Sequence, residues 1–177
     1  MHFRCTFWLR AALGRRARQP PMKLTTFTDY SLRMLMYLAV EPPRRATIAQ
    51  IAEAFGISES HLTKVAHHLG RHGWLANVRG KGGGLQLALA PGQIGVGAVV
   101  RVCEGGEGPA ACFGAQPSDC VIGAVCRLRG MLDEALRAFY LVLDRYTVAD
   151  LARDPQALVR LLPPLARALP AARGVIG

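Results

Sequence analysis

Between residues 47 and 89 the apolar residues change period in mid-course, and a chain that does this over so short a stretch has few folds open to it. Ile48, Ile51, Ala52 and Phe55, then Leu62, Val65 and Leu69, recur at spacings of three and four, the repeat of helices that each bury one face. After Gly73 the repeat falls to two. Residues 74–78 (Trp-Leu-Ala-Asn-Val) predict a strand, and Leu85, Leu87 and Leu89 alternate as a second. The boundaries are marked as well. Thr47 with Gln50 three residues on has the spacing of a capping box, Gly56 interrupts the helical pattern, and Ser58 stands where it can cap the next helix. Two short helices joined by a glycine turn make a helix-turn-helix. The segment between the strands, Arg79-Gly-Lys-Gly-Gly-Gly84, is a hairpin tip carrying two cations. A helix-turn-helix followed at once by a basic hairpin is the winged variant of that motif.

This order of elements suits a reader of double-stranded DNA. The second helix of the pair enters the major groove with its N-terminal residues at the base edges, which nominates Ser60, His61, Thr63 and Lys64. Arg79 and Lys81 on the wing can reach phosphates or the adjacent minor groove. The glycines at 82–84 let the backbone approach closely, with no side chain in the way. Each piece has a plainer reading. A capped helix pair can be only a helical hairpin, and a basic glycine-rich turn only a solvated loop or a phosphate cradle, although its spacing is not that of a Walker loop. His67 and His68 read as solvated or phosphate-facing rather than as metal ligands. The sequence has no nucleotide fingerprint, carboxylate dyad or paired base for catalysis, so the expectation is not an enzyme.

The charge is consistent with a polyanionic partner but does not specify one. The 177 residues carry a formal net charge of +10. Half of it sits in residues 1–21, which hold Arg4, Arg10, Arg15, Arg16 and Arg18 and no acid. That stretch reads as a disordered or mis-annotated extension ahead of Met22, the alternatives being a transit-like or membrane-surface helix. Its apolar run is broken by Arg10 and too short to span a bilayer, and no membrane partner is expected.

The elements that flank the reader complete the plan. Thr26, as a cap, with Asp29 at capping-box spacing opens a first helix carrying Leu32, Leu35, Met36 and Ala39, which Pro42 and Pro43 stop. Residues 94–104 predict a short helix. The next twenty residues are rich in glycine and proline, and a loop of that length is usually functional or disordered. Four of the five cysteines cluster at positions 103–126. Cys103 reads as a small buried hydrophobe. Cys112, Cys120 and Cys126, spaced C-x7-C-x5-C, can converge on a metal. Thiolates suit an iron–sulfur cluster or zinc, and zinc sites usually show tighter pairs, so the spacing leans towards a cluster; three reduced cysteines without metal is the alternative. A long helix over about residues 125–146 carries Val125, Leu128, Leu132, Leu136, Phe139, Leu143 and Tyr146 as one stripe. That stripe needs a partner, either the helix's own domain or, as we prefer, a second copy, because half-sites in DNA are read by two-fold dimers. A short helix from Pro155 and a flexible tail over residues 163–177 end the chain.

Lys23-Leu-Thr-Thr-Phe-Thr-Asp-Tyr-Ser-Leu-Arg33 at the first helix, the VRGKGGGLQLA wing and three cysteines before a long helix resemble the Rrf family of winged-helix iron–sulfur repressors, and within it the nitric-oxide-sensing branch. The resemblance covers residues 22–162. It implies a cytoplasmic bacterial repressor, a homodimer on a double-stranded DNA operator, with nitric oxide as signal. Cys112, Cys120 and Cys126 match the three ligand cysteines. Asp29 matches a fourth ligand given by the other subunit, unless it only caps its helix, and Arg33 matches a residue near the cluster. By resemblance alone a 4Fe–4S cluster is preferred to 2Fe–2S. The chain departs from the family in its longer first cysteine gap, and in having Arg129 where relatives with a histidine ligand carry that histidine. An iron-homeostasis regulator of the same family and a clusterless thiol sensor are the alternatives. The expected architecture is mainly α with a small β-hairpin. It comprises a winged helix-turn-helix over residues 22–104, a cysteine loop over 105–126, and a dimerisation helix with a terminal helix over 125–162.

Overall fold

A computed structural model describes residues 23–40, 44–105, 110, 113 and 122–162. It is mainly helical with one two-stranded antiparallel hairpin. Helix α1 (Thr26–Ala39) starts one residue earlier than its expected cap: Thr25, not Thr26, accepts from the Thr28 N–H at 3.2 Å. Asp29 takes no part in a capping box and pairs with Arg33 instead. The reason that α1 buries more than one stripe is its central position, with α3, α4 and β2 packed around it. Met34, Leu35, Tyr37 and Leu38 are almost fully enclosed, while Leu32 and Met36 of the expected stripe are only half-buried.

The helix pair and hairpin follow the expected punctuation except at Ser58, which makes no capping bond. Thr47 and Gln50 close a reciprocal capping box on α2 (Ile48–Phe55), and Gly56 ends it in the left-handed conformation at φ 63°. Helix α3 (Glu59–Arg71) buries Leu62, Val65 and Leu69. Strands β1 (Leu75–Val78) and β2 (Gly84–Leu87) pair Leu75 with Leu87 and Val78 with Gly84. The strands are shorter than the alternation suggests, since Trp74 precedes β1 and the exposed Leu89 lies beyond β2. Ala46 adds a third layer of pairing through its N–H to Leu85 O at 3.0 Å and the reverse bond at 2.8 Å. Gly84, at φ 148°, therefore has an internal reason to be glycine. A Cβ there would stand 2.7 Å from the Ala46 carbonyl oxygen.

Helix α4 (Val96–Cys103) is shorter than expected, residues 94 and 95 being extended. Helix α5 (Arg127–Leu143) follows a turn of 3-10 helix at 123–125. Two further short helices, α6 (Val148–Leu151) and α7 (Pro155–Leu161), end the described chain. α6 was not expected. It has its own capping box, Thr147 with Asp150, and seats Val148 in the main core. A pair of backbone bonds, Val96 N–H to Tyr146 O and Val148 N–H to Ile94 O, each 2.9 Å, ties the end of α5 to the start of α4. The expected stripe on α5 divides. Leu132, Leu136, Phe139 and Leu143 are half-buried, the end positions Val125, Leu128 and Tyr146 are exposed, and no residue of α5 is fully buried. Residues 1–21 and 163–177, and with them the expected extension and tail, lie outside the described residues.

Candidate nucleic-acid interface and ligand residues

Ser60, His61, Thr63 and Lys64 lie in the first half of α3 and are all exposed. Their chemistry differs in detail from what their types suggest. The Thr63 hydroxyl donates to Glu59 O at 2.8 Å, back into its own helix, so its methyl group is the free part. Ser58 occupies the N-cap position without making a capping bond. Its hydroxyl lies 2.9 Å from His61 Nδ1 and 3.3 Å from Ser60 Oγ. The ring of Tyr30, from α1, lies 6.2 Å from that of His61. Ser58 and Tyr30 were not among the expected site residues. The i,i+3 spacing of Ser58 and His61 was a legible signal for the first, whereas the second comes from a different helix.

The wing leaves Arg79 and Lys81 exposed. Glycine supplies left-handed backbone on either side of Lys81, at φ 98° for Gly80 and 77° for Gly82. Further along α3, His68 sits edge-on to Phe27 with centroids 5.1 Å apart and 4.7 Å from His72, which in turn stacks on Trp74 at 5.5 Å. His68 is thus half-buried and packed, not solvated. Burial first, and then the neighbouring His72, Arg71 and His67, hold its pKa below the ordinary 6.5.

The ligand candidates lie on separate elements. Asp29 Oδ1 accepts from Arg33 Nε at 3.0 Å one turn along α1, and both side chains are nearly half exposed. They line a depression of about 690 Å³ together with Lys23, Tyr30, Phe55 and Gly56. The Arg33 guanidinium also stands 5.7 Å from the centre of the Phe55 ring. Cys126 is a half-buried free thiol at the N-cap position of α5. Cys112 and Cys120 lie outside the described residues. Among the described residues no three histidine, cysteine or acidic side chains come together. The fit to an iron–sulfur cluster therefore rests on the chemistry of the donor set: a thiol at the foot of α5, and a carboxylate paired with the half-exposed Arg33.

The start of the cysteine loop is fastened to α1. Glu104 Oε1 accepts from the Thr25 N–H at 2.9 Å, from Thr25 Oγ1 at 3.0 Å and from Thr28 Oγ1. Beside it the half-buried Cys103 thiol donates to Ser31 Oγ at 3.4 Å. Burial raises the pKa of that thiol, partly offset by Ser31, which keeps it protonated and fits the packing role expected of it.

The family described as "Rrf2: Iron-dependent Transcriptional regulator" matches residues 24–154. The chain is similar to the HTH-type transcriptional regulator NsrR of Bacillus subtilis, 46% identical over 142 residues, 80% of this chain and 97% of the relative. NsrR of Geobacillus kaustophilus is similar to the same extent. Among solved structures, T. potens IscR superposes with a TM-score of 0.60 at 25% identity over 76% of this chain and 88% of the other. Staphylococcus aureus CymR gives 0.57 at 27% identity, over 72% and 96%.

Proposed function

The chain belongs to the Rrf2 family of transcriptional regulators, and from that premise we propose that it is an NsrR-type repressor whose hold on its operator depends on an iron–sulfur cluster and is released by nitric oxide. It is a winged-helix, DNA-binding repressor and not an enzyme. The single observation that carries the finer reading is the 46% identity to a protein named NsrR along nearly its whole length. That figure far exceeds the 27% shared with CymR, one of whose relatives is described as a global cysteine regulator. A clusterless thiol sensor is the second reading, which the CymR likeness keeps in view.

Cys112, Cys120 and Cys126 would hold the cluster, with Asp29 of a partner subunit as the fourth ligand. We prefer a 4Fe–4S cluster. When bound, it supplies the iron chemistry that reacts with nitric oxide. The chain's own residues do the rest. Arg33 holds the Asp29 carboxylate in place until it is needed. Glu104 secures the near end of the cysteine loop to the helix on which Asp29 stands. Ser60, His61, Thr63 and Lys64 face the major groove, and Arg79 and Lys81 the neighbouring backbone. A homodimer formed through α5 presents two such readers to a two-fold operator.

The test is anaerobic purification followed by an absorbance spectrum and titration with nitric oxide. Cys112→Ala is expected to abolish the visible absorption of the cluster and relieve repression, while the dimer persists. A variant that still represses normally without nitric oxide would overturn the cluster reading.

A further inference from the structure

We propose that His61 is a specificity-determining residue that donates a hydrogen bond from Nε2 to the N7 acceptor edge of a purine, guanine above all, and that Ser58 and Tyr30 are its positioning residues. The inference deepens the DNA-binding reading and rests on it. His61 is the third residue of α3, in the part of a recognition helix that meets base edges. A histidine there would ordinarily be a mobile, rim-exposed side chain.

Here two elements constrain it. Ser58 stands at the N-cap and would normally accept from a backbone N–H of the first turn. It makes no such bond, and its hydroxyl meets His61 Nδ1 at 2.9 Å instead. Helix capping therefore does not account for this serine, and the imidazole does. On the other side the Tyr30 ring lies 6.2 Å from the His61 ring, tilted by 44°. Tyr30 is anchored in α1, one of the most enclosed helices of the fold.

With Nδ1 engaged, Nε2 is the polar edge left to read DNA. Its character follows from the hydroxyl chain. Ser60 Oγ is 3.3 Å from Ser58 Oγ. If Ser60 donates to Ser58 and Ser58 donates to Nδ1, the ring proton resides on Nε2. In the imidazolium form both nitrogens donate, and Nε2 again carries a proton. Only the reversed chain makes Nε2 an acceptor. The major groove offers acceptors at N7 of both purines, at O6 of guanine and at O4 of thymine; guanine alone presents two side by side, so a donating Nε2 favours guanine, and a contact made through N7 separates a purine from thymine. Tyr30 follows Asp29 directly in sequence, which places the prop of the reading residue beside the candidate ligand.

The experiment starts from the full-length protein and duplexes selected from a randomised library. Wild type is expected to select a purine at one position of each half-site. Replacing that base with its 7-deaza analogue, which lacks only N7, should weaken binding about tenfold. In His61→Ala the purine preference and the 7-deaza effect should both vanish. Ser58→Ala should reduce the discrimination and Ser58→Thr restore it, and the nitrogen-15 shifts of His61 should place the proton on Nε2 in wild type. The proposal is overturned if 7-deaza substitution costs nothing, if His61→Ala keeps the preference, or if Ser58→Ala discriminates as well as wild type. Should wild type select no sequence at all, the operator-binding reading falls, and this one with it.

Discussion

His68 shows how a residue type misleads until its neighbours are known. By sequence it belongs to a polar face of α3, yet Phe27 and His72 close over it, and its Nε2 is sealed from solvent with no hydrogen-bond partner among the described residues. The folded protein therefore favours the neutral ring, with a pKa below the 6.5 of an unfolded chain. As pH falls through 6.5 the unfolded state takes up its proton first, so this contribution to stability is complete above that pH and is lost below it. The thermal midpoint should fall on acidification from about pH 7.5 to about pH 5.5, and His68→Gln should flatten that fall. An unchanged profile in the variant would remove His68 from the account. Thr47 makes a simpler case. Its capping box satisfies two orphan donors at once, and Thr47→Ala should cost about 1 kcal/mol in urea unfolding. Gly97 crosses α5 so closely that a Cβ would collide with Asp144 Oδ1. Gly97→Ala must therefore disturb the Arg101–Asp144 pair, whose two bonds measure 2.7 and 2.6 Å.

Among the elements, α5 carries the clearest unfinished surface. Leu132, Leu136, Phe139 and Leu143 turn part-way inward, and Leu128, Met131 and Val142 are 61%, 66% and 48% exposed. With Ala135 and Ala138 between them, the exposed set repeats at three and four, the pattern of a helix seam. Leu128→Glu combined with Met131→Glu should turn a dimer into a folded monomer, read by sedimentation with the far-ultraviolet spectrum unchanged. Persistence of the dimer would place the interface elsewhere. The sequence made α2, α3 and the hairpin legible because their signals are local: a capping box, a left-handed glycine, a change of period. It could not divide the α5 stripe, since which apolar residues turn inward depends on where α4 lies. It missed α6, a single turn that exists because Val148 fills the core between distant segments. It set the α1 cap one residue late, because Thr25 is chosen by Glu104, a residue 79 positions away. The cysteine spacing was legible as chemistry, but the closing of a loop over Cys112 and Cys120 has no local signature.

For the molecule as a whole, helix α1 is the common member. It packs against α3, the helix proposed to read DNA, against α4, which leads into the cysteine loop, and against β2 of the hairpin. Among the described residues no helix is long and apolar enough to cross a membrane. Arg79→Ala and Lys81→Ala should each lower the slope of log affinity against log salt by about one, and weaken all duplexes alike. A loss confined to one operator would mean that the wing reads bases. The pairing of Ala46 with Leu85 has a mechanical consequence. Because Ala46, two residues before α2, is stitched into the hairpin, the wing is tied to the helix pair, and the two proposed grips on the duplex would move together, like the rigid jaw of a calliper. The gauge of such an instrument is set only at its joint. Changes in operator affinity must then come from moving one jaw relative to the other, and cross-linking distances within a subunit should stay constant while those between subunits change.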